Sequence, residues 1–295
     1  MRIAIDGRMI KCNSMHGIAR YVHSLIHELS KIENKLEFYI FVNPGTPLQK
    51  ETFPKNIKLS FIKSKLLSFK EQWEIPQTLK SLKIDLFHAT SFVVPYNCPS
   101  SMVITIHDLN HLVLHENYRI YHKLYYKFFV KKAIKTAKRI LTVSNFSKAE
   151  IVKFMKIDPQ KISVTYNGIS AYYHKAYSLE ELKYIQELYQ LPSEYILSIC
   201  NCKPHKNLHK LVKAYCLSGI KTPLVLATGH DPSLQEIASK YKKNHLIMFS
   251  RFIDEKHLPQ IYKQAKFFVY PSTYEGFGLP PLEALACGTP VLTAK

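Results

Sequence analysis

The stretch PSTYEGFGLPPLEALACGTP (271–290) decides the reading of this chain, because it follows the apolar run FFVY (267–270) and combines charge, glycine and helix-start signals. FFVY predicts a short buried strand, Gly276 and Gly278 punctuate a loop, and Pro280 and Pro281 fall in the first turn of a helix, where proline is tolerated. Backbone N–H groups in such a loop, backed by the positive end of the helix, accept an anion such as phosphate. Glu275 precedes the loop and Glu283 follows inside the helix. Carboxylates beside a phosphate site suit hydroxyl groups, not the phosphate itself. Taken singly, each acid has a plainer reading: Glu283 complements the helix dipole and Glu275 is a solvated loop charge.

The 295 residues are enough for two domains of ordinary size, and 46% apolar content supplies their cores. A net charge of +19 calls for an acidic partner, and nucleic acid, anionic lipid and phosphorylated small molecules all qualify. The six cysteines, Cys12, Cys98, Cys200, Cys202, Cys216 and Cys287, show no paired C-x2-C spacing. That argues against a zinc framework or disulfide scaffold and for reduced thiols in a cytosol. The start MRIAIDGRMI lacks a signal peptide's apolar core, and no apolar run approaches the ~18 residues that span a bilayer. A soluble or peripheral protein is expected.

Outward from the central stretch, the same strand and helix alternation covers the chain. IAI (3–5), EFYIFV (37–42), NIKLSFI (56–62), IDLFHA (84–89), MVITI (102–106) and the segments opening at Arg139 and Lys161 read as strands. A helical pattern ends near Lys31, another runs from Phe69 to Leu82, and Ser144 is the N-cap of a third. YILSI (195–199), PLVLAT (223–228), HLIMF (245–249), FFVY and VLTA (291–294) form a second series. Such alternation predicts parallel sheets, with ligands beyond the carboxyl ends of the strands. His88 and His107 stand at two such ends; a strand-end histidine is most simply a hydrogen-bonded structural residue, the reading given to His88. Asp108 either orients His107 or caps the next helix. Lys206 follows the strand YILSI, where a lysine and neighbouring amides suit a diphosphate. The Cys200-x-Cys202 pair lacks further ligands at metal spacing and is discounted as a metal site.

These segments resemble the retaining glycosyltransferases of family 4. Their E-x7-E element, EGFGLPxLEAxAxGxPV, is matched by Glu275, Gly276, Phe277, Gly278, Leu279, Pro280, Leu282, Glu283, Ala284, Gly288, Pro290 and Val291. HGIARY is similar to the family's GGIGRY, with Ala19 for a glycine, and implies that Gly17 faces the donor diphosphate. VITIHDL resembles tiHDl, whose histidine contacts the transferred sugar, and VSNFS and the YNG at 166–168 are further landmarks. KPHKNL resembles EPRKN, keeping Pro204, Lys206 and Asn207 while His205 replaces arginine; Cys200 stands where a glycine is usual. The resemblance implies an α/β chain of GT-B architecture, two Rossmann-like domains facing a central cleft. The expected limits are 1–168 for the acceptor-side domain, 169–193 for a connector carrying SLEELKYIQELY, and 194–295 for the nucleotide-sugar domain, abbreviated relative to the family.

The implied activity is transfer of a sugar, mannose for example, from a nucleotide-diphosphate sugar to a glycan or lipid-linked acceptor with retention, in cell-surface polysaccharide or lipopolysaccharide synthesis. Glu275, His107 and Lys206 are the expected catalytic residues. Gly17, His205, Lys206, Glu275, Gly276, Phe277, Gly278, Leu279 and Glu283 are expected to hold the donor, with Glu283 on the ribose. No D-x-D motif is evident, which fits the metal independence, and the absence of any cofactor, that the resemblance implies. Two rivals remain: a truncated, non-catalytic relative acting as a partner subunit, and a basic nucleic-acid-binding protein, which leaves the paired glutamates unexplained. Finally, residues 117–149 contain no acid, and RIYHKLYYKFFVKKAIKTAKR (119–139) mixes aromatics with Lys127, Lys131, Lys132 and Lys135. The segment reads either as an ordinary helix with a buried aromatic face or as a surface for anionic lipid, which would make the protein cytoplasmic and peripheral at the inner face of the cell membrane.

Overall fold

The computed structural model describes residues 1–11, 17–32, 35–114, 125–228, 231–250 and 253–294, apart from the side chains of Tyr126 and Lys127. It divides into two compact units, Met1–Asn167 and Gly168–Lys295. Each is a parallel sheet covered by helices, as expected of strands that read as apolar runs and need burial on both faces.

The first unit holds β1 (Arg2–Asp6), β2 (Glu37–Val42), β3 (Ile57–Phe61), β4 (Leu86–Ala89), β5 (Ser101–Ile106), β6 (Arg139–Thr142) and β7 (Ile162–Val164). They pair in parallel in the order β3-β2-β1-β4-β5-β6-β7. Because successive strand residues point to opposite faces, two cores form. Ile5, Phe38, Ile40 and Val42 share one with Ala19, Val22 and Ile26 of α1 (Gly17–Lys31). Ala4, Phe41 and Phe87 share the other with Ile75 and Leu79 of α2 (Glu71–Ser81), Ile134 of α3 (Lys131–Thr136) and Ile151 of α4 (Asn145–Met155). The Ser144 hydroxyl accepts the Ser147 N–H at 3.0 Å and caps α4 as predicted.

The second unit holds β8 (Ile196–Ile199), β9 (Leu224–Ala227), β10 (Ile247–Phe249), β11 (Phe267–Tyr270) and β12 (Val291–Thr293), all parallel, in the order β10-β9-β8-β11-β12. Its helices are α5 (Leu179–Leu188), α6 (Leu208–Leu217), α7 (Pro232–Lys240), α8 (Leu258–Gln264) and α9 (Leu279–Ala286). Leu197, Val225 and Phe268 share a core with Ile261 and Tyr262 of α8 and Ala284 of α9, and α6 and α7 cover the opposite face. Residues 169–193, read from sequence as a connector, pack with this unit: Tyr173, Ile185 and Leu191 are buried in its core. The segment's apolar residues alternate with polar and charged ones, so it shows no long apolar run of its own. In both sheets the strand order reverses, at β1/β4 and at β8/β11, and ligands of such sheets bind beyond the carboxyl ends at that point.

At the end of β1 lies a buried ionic triad. Asp6, Arg8 and Glu71 are 3%, 2% and 1% exposed. Arg8 donates from Nε to Asp6 Oδ1 at 2.9 Å, from Nη2 to Asp6 Oδ2 at 2.7 Å, and from Nη1 to Glu71 Oε2 at 2.9 Å. The turn between them needs glycine, since a Cβ on Gly7 would lie 2.9 Å from Ile40 Cγ2 and 3.1 Å from the Phe41 carbonyl. The bidentate fork goes to Asp6, which leaves Glu71 the weaker partner. Among the described residues no helix is long and apolar enough to cross a membrane.

Burial outweighs the attraction of Arg8 and pushes the Glu71 carboxyl up to about 7. An unfolded glutamate titrates near 4.3, so the native state holds the extra proton between those values. The stability this group contributes is complete below about pH 4.3 and lost as pH rises through about 7. Relative to Glu71→Gln, the parent protein should lose on the order of 2–3 kcal/mol between pH 5 and 8. Urea unfolding followed through Trp73, the single tryptophan and a residue of α2, measures it, and identical pH dependence in the two proteins would refute it.

Candidate functional site

The loops after β8 and β11, neighbours at the strand reversal of the second sheet, are joined to one another. The His205 carbonyl accepts the Thr273 N–H at 2.9 Å and the hydroxyls of Thr273 and Ser272 at 3.2 and 3.3 Å. On this frame three donors converge on one carboxylate oxygen, Glu275 Oε1: Lys206 Nζ at 2.5 Å, the Tyr270 hydroxyl at 2.8 Å and the Ser272 hydroxyl at 2.5 Å. Lys206 Nζ also lies 2.9 Å from the Tyr270 hydroxyl, and burial raises the phenol's pKa, so Tyr270 stays a neutral donor. Lys206 and Glu275 keep 13% and 26% of their side chains exposed, a sheltered pair still open to a ligand. The structure thus brings the two sequence-predicted residues together. It buries His205, only 7% exposed, in the short 3-10 turn Pro204–Lys206, where its carbonyl anchors the neighbouring loop.

Gly278 is the N-cap of α9 and adopts φ +91°, a left-handed conformation that favours glycine. Pro280 and Pro281 follow in the first turn and carry no N–H, so backbone donors at this end come from residues 276–279. Glu283, one turn further on, is 2% exposed, and the Tyr262 hydroxyl donates to its Oε2 at 3.2 Å. Tyr262 of α8 therefore helps to orient its carboxylate. Burial pushes the Cys200 thiol up to about 12 and raises that of Cys202, whose sulfur contacts the Thr228 hydroxyl at 3.2 Å. Neither is a ready thiolate.

In the first unit, His107 follows β5 and its Nε2–H donates to the Thr90 carbonyl at 2.9 Å, which defines the tautomer. The Tyr21 ring stands edge-on to the imidazole at 4.8 Å. His88 Nε2 and the Tyr21 hydroxyl meet the Thr105 hydroxyl at 2.8 and 3.4 Å. Burial lowers the pKa of His107 and takes that of His88 down to about 4, so both rings are neutral near pH 7. Asp108 accepts the Asn110 N–H at 2.9 Å just ahead of the turn Asn110–Val113, whose N-cap is Leu109. Gly17 opens α1 with nothing within 4 Å of a Cβ built on it, while Ala19 is fully buried, its methyl part of the core. Of the basic segment, Lys131 and Lys135 are exposed, and Lys132 donates to Asn97 Oδ1 at 2.9 Å over the Tyr96 ring. The Lys127 side chain and residues 115–124 lie outside the described residues.

Comparison with known proteins identifies the family. Residues 15–171 match the family described as Glycosyltransferase Family 4, and residues 185–295 match Glycosyl transferases group 1. The chain belongs to glycosyltransferase family 4. It is 30% identical to O-antigen chain mannosyltransferase B of Escherichia coli, over 100% of this chain and 76% of that protein. It is also 30% identical to O-antigen chain mannosyltransferase RfbU of Salmonella typhimurium, over 66% of this chain and 52% of the relative. Among solved structures it resembles Anabaena Alr3699/HepE in complex with UDP-glucose, at TM-score 0.76 and 16% identity over 100% of this chain and 80% of that one. WaaG, a glycosyltransferase involved in lipopolysaccharide biosynthesis, aligns at TM-score 0.71 and 15% identity, over 99% of this chain and 80% of that one. The fold is GT-B, built from the two parallel α/β units described, the second smaller.

Within this glycosyltransferase, the sequence alone did not single out Tyr270, Ser272, Tyr262, Tyr21 or Thr90. The available signal was positional: Tyr270 is the last residue of a strand at the order reversal, where side chains of the following loop must converge. Gly278→Ala tests the geometry of the glycine loop. An added Cβ meets only Pro281 Cγ, at 3.9 Å, so any cost is backbone strain. The substitution should destabilise the protein by about 1–2 kcal/mol in urea unfolding, and an unchanged midpoint would remove the left-handed N-cap.

Proposed function

We propose that the chain transfers a hexose, mannose for preference, from a nucleotide-diphosphate sugar to a glycan or lipid-linked acceptor with retention, in cell-surface polysaccharide or lipopolysaccharide synthesis. The observation that carries this reading is the Lys206–Glu275 pair beside the N terminus of α9, with Glu283 buried in that helix. A diphosphate arriving there offers Lys206 more negative charge than one carboxylate does. The ammonium turns to phosphate, and Glu275, still held by Tyr270 and Ser272, is released to accept hydroxyls of the sugar. Glu283 takes the ribose, and the amides of residues 276–279 with Lys206 stabilise charge developing on the leaving diphosphate. That phosphate takes the acceptor's proton on the face it leaves, so the new bond forms with retention and no enzyme nucleophile is assigned. His107, neutral and fixed by Thr90, contacts the sugar or the acceptor, and the reaction needs no metal. Mannose is favoured by the names of the relatives, two of them O-antigen chain mannosyltransferases.

Calorimetry with GDP-, UDP- and ADP-sugars identifies the donor. Glu283→Ala should weaken nucleotide binding more than tenfold, the equivalent of about 1.5–3 kcal/mol for a charged hydrogen bond. Glu275→Ala should lower turnover further than it alters binding of the bare nucleoside diphosphate. Unchanged binding and turnover in both variants would sink the assignment. Binding with no turnover by the parent on any donor would favour a non-catalytic partner subunit.

We infer that the acceptor side faces a membrane surface. Lys131 and Lys135 are exposed beside Phe128, itself 56% exposed, and each basic residue near an anionic bilayer contributes about 1 kcal/mol. Co-sedimentation should show salt-sensitive binding to anionic but not zwitterionic vesicles, weakened when Lys127, Lys131, Lys132 and Lys135 become glutamate. Equal binding by parent and quadruple variant would return the segment to a plain structural role and make the acceptor soluble.

A further inference from the structure

Away from the sites above, α1 carries His23 and His27 one turn apart, so both imidazoles leave the same face of the helix. Glu51 meets them from the segment after β2. It follows the 3-10 turn Pro47–Lys50, where Leu48 is fully buried and the Glu51 N–H donates to the Leu48 carbonyl at 3.2 Å. The three side chains converge through His23 Nε2 to Glu51 Oε1 at 3.2 Å, His27 Nε2 to Glu51 Oε2 at 2.7 Å, and His23 Nε2 to His27 Nε2 at 3.2 Å. The rings lie 4.3 Å apart, and Phe53 backs His27 at 5.7 Å.

With Glu51 as a carboxylate and both rings neutral, protons alone cannot satisfy this triangle. If each Nε2 carries a hydrogen for the carboxylate, the two nitrogens oppose each other as donors. If instead one donates to the other, the recipient has a lone pair, not a hydrogen, to turn toward Glu51. One of the three contacts is repulsive in either arrangement of neutral rings. The conflict disappears when three lone pairs share a single cation. A tetrahedral zinc with bonds of about 2.0–2.1 Å sets its ligand atoms roughly 3.3 Å apart, close to the spacing here.

We propose that His23, His27 and Glu51 form a zinc site that fastens α1 to the segment after β2. Two imidazole nitrogens and one carboxylate oxygen form a donor set suited to Zn2+, and the hard all-oxygen preference of Mg2+ argues against that ion. The side chains are 30%, 38% and 27% exposed, so the cluster keeps an open side at which water completes the coordination. Glu51 follows a turn anchored by the buried Leu48 and the histidines stand on a core helix, so the ligands are held before the ion arrives. The site belongs to the first unit, apart from the Lys206–Glu275 pair of the second, and its role is to fix structure.

The test uses the full chain, stripped with a chelator and titrated with Zn2+ and, as a spectroscopic substitute, Co2+. One equivalent should bind, the melting temperature should rise, and cobalt should show visible ligand-field absorption without a thiolate charge-transfer band. His27→Ala and Glu51→Gln should each weaken zinc binding at least tenfold and abolish the rise in melting temperature. Glu51→Gln is nearly isosteric, which keeps the result readable if the histidine variant folds poorly. A thiolate band would place the metal on cysteines, and affinity unchanged in both variants would place it elsewhere; either overturns the proposal.

Discussion

Parallel strand pairing is the constraint on which both units depend. A parallel sheet cannot be closed by hairpins, so each strand is followed by a crossover, and helices cover both faces. Every strand then ends on the same side of its sheet, and the loops that leave those ends crowd together where the order reverses. Lys206 follows β8 and Glu275 follows β11, sixty-nine positions apart in sequence yet within hydrogen-bonding distance, because β8 and β11 are neighbours. The same rule brings His88, after Phe87 in β4, to Thr105 in β5.

Electrostatics in this protein is a contrast between a charged surface and interior groups whose charge is tightly managed. The net +19 is spread over exposed lysines, whereas Asp6, Arg8 and Glu71 are sealed at the end of β1. There Asp6 takes the bidentate bond from Arg8, and burial leaves Glu71 close to titration at neutral pH. His88 and His107 are kept neutral by burial. Glu275 is instead surrounded by three donors, which hold a carboxylate in place without sealing it away. Hydrogen bonding to one oxygen orients Glu275 while leaving the carboxylate reachable.

Much of this was legible from residue order alone. Strand and helix alternation rests on local rules: FFVY and EFYIFV are apolar runs that form strands at the bounds expected, Ser144 caps its helix, and Pro280 and Pro281 sit at a first turn. The E-x7-E segment announced the family because loop, cap and acids are all encoded within twenty residues. Three things depended on tertiary packing. The segment 169–193 joins the second unit through Tyr173, Ile185 and Leu191, which are buried against core residues of other elements. His205 is buried, and its backbone carbonyl accepts hydrogen bonds from residues 272 and 273. Tyr262, Glu71 and Glu51 acquire roles only from partners distant in the chain, and Tyr270 and Ser272, close to Glu275 in sequence, meet Lys206 and the His205 carbonyl only in the fold. Local propensity determines what a segment becomes, but which side chains meet is decided by strand order, a property of the assembled sheet.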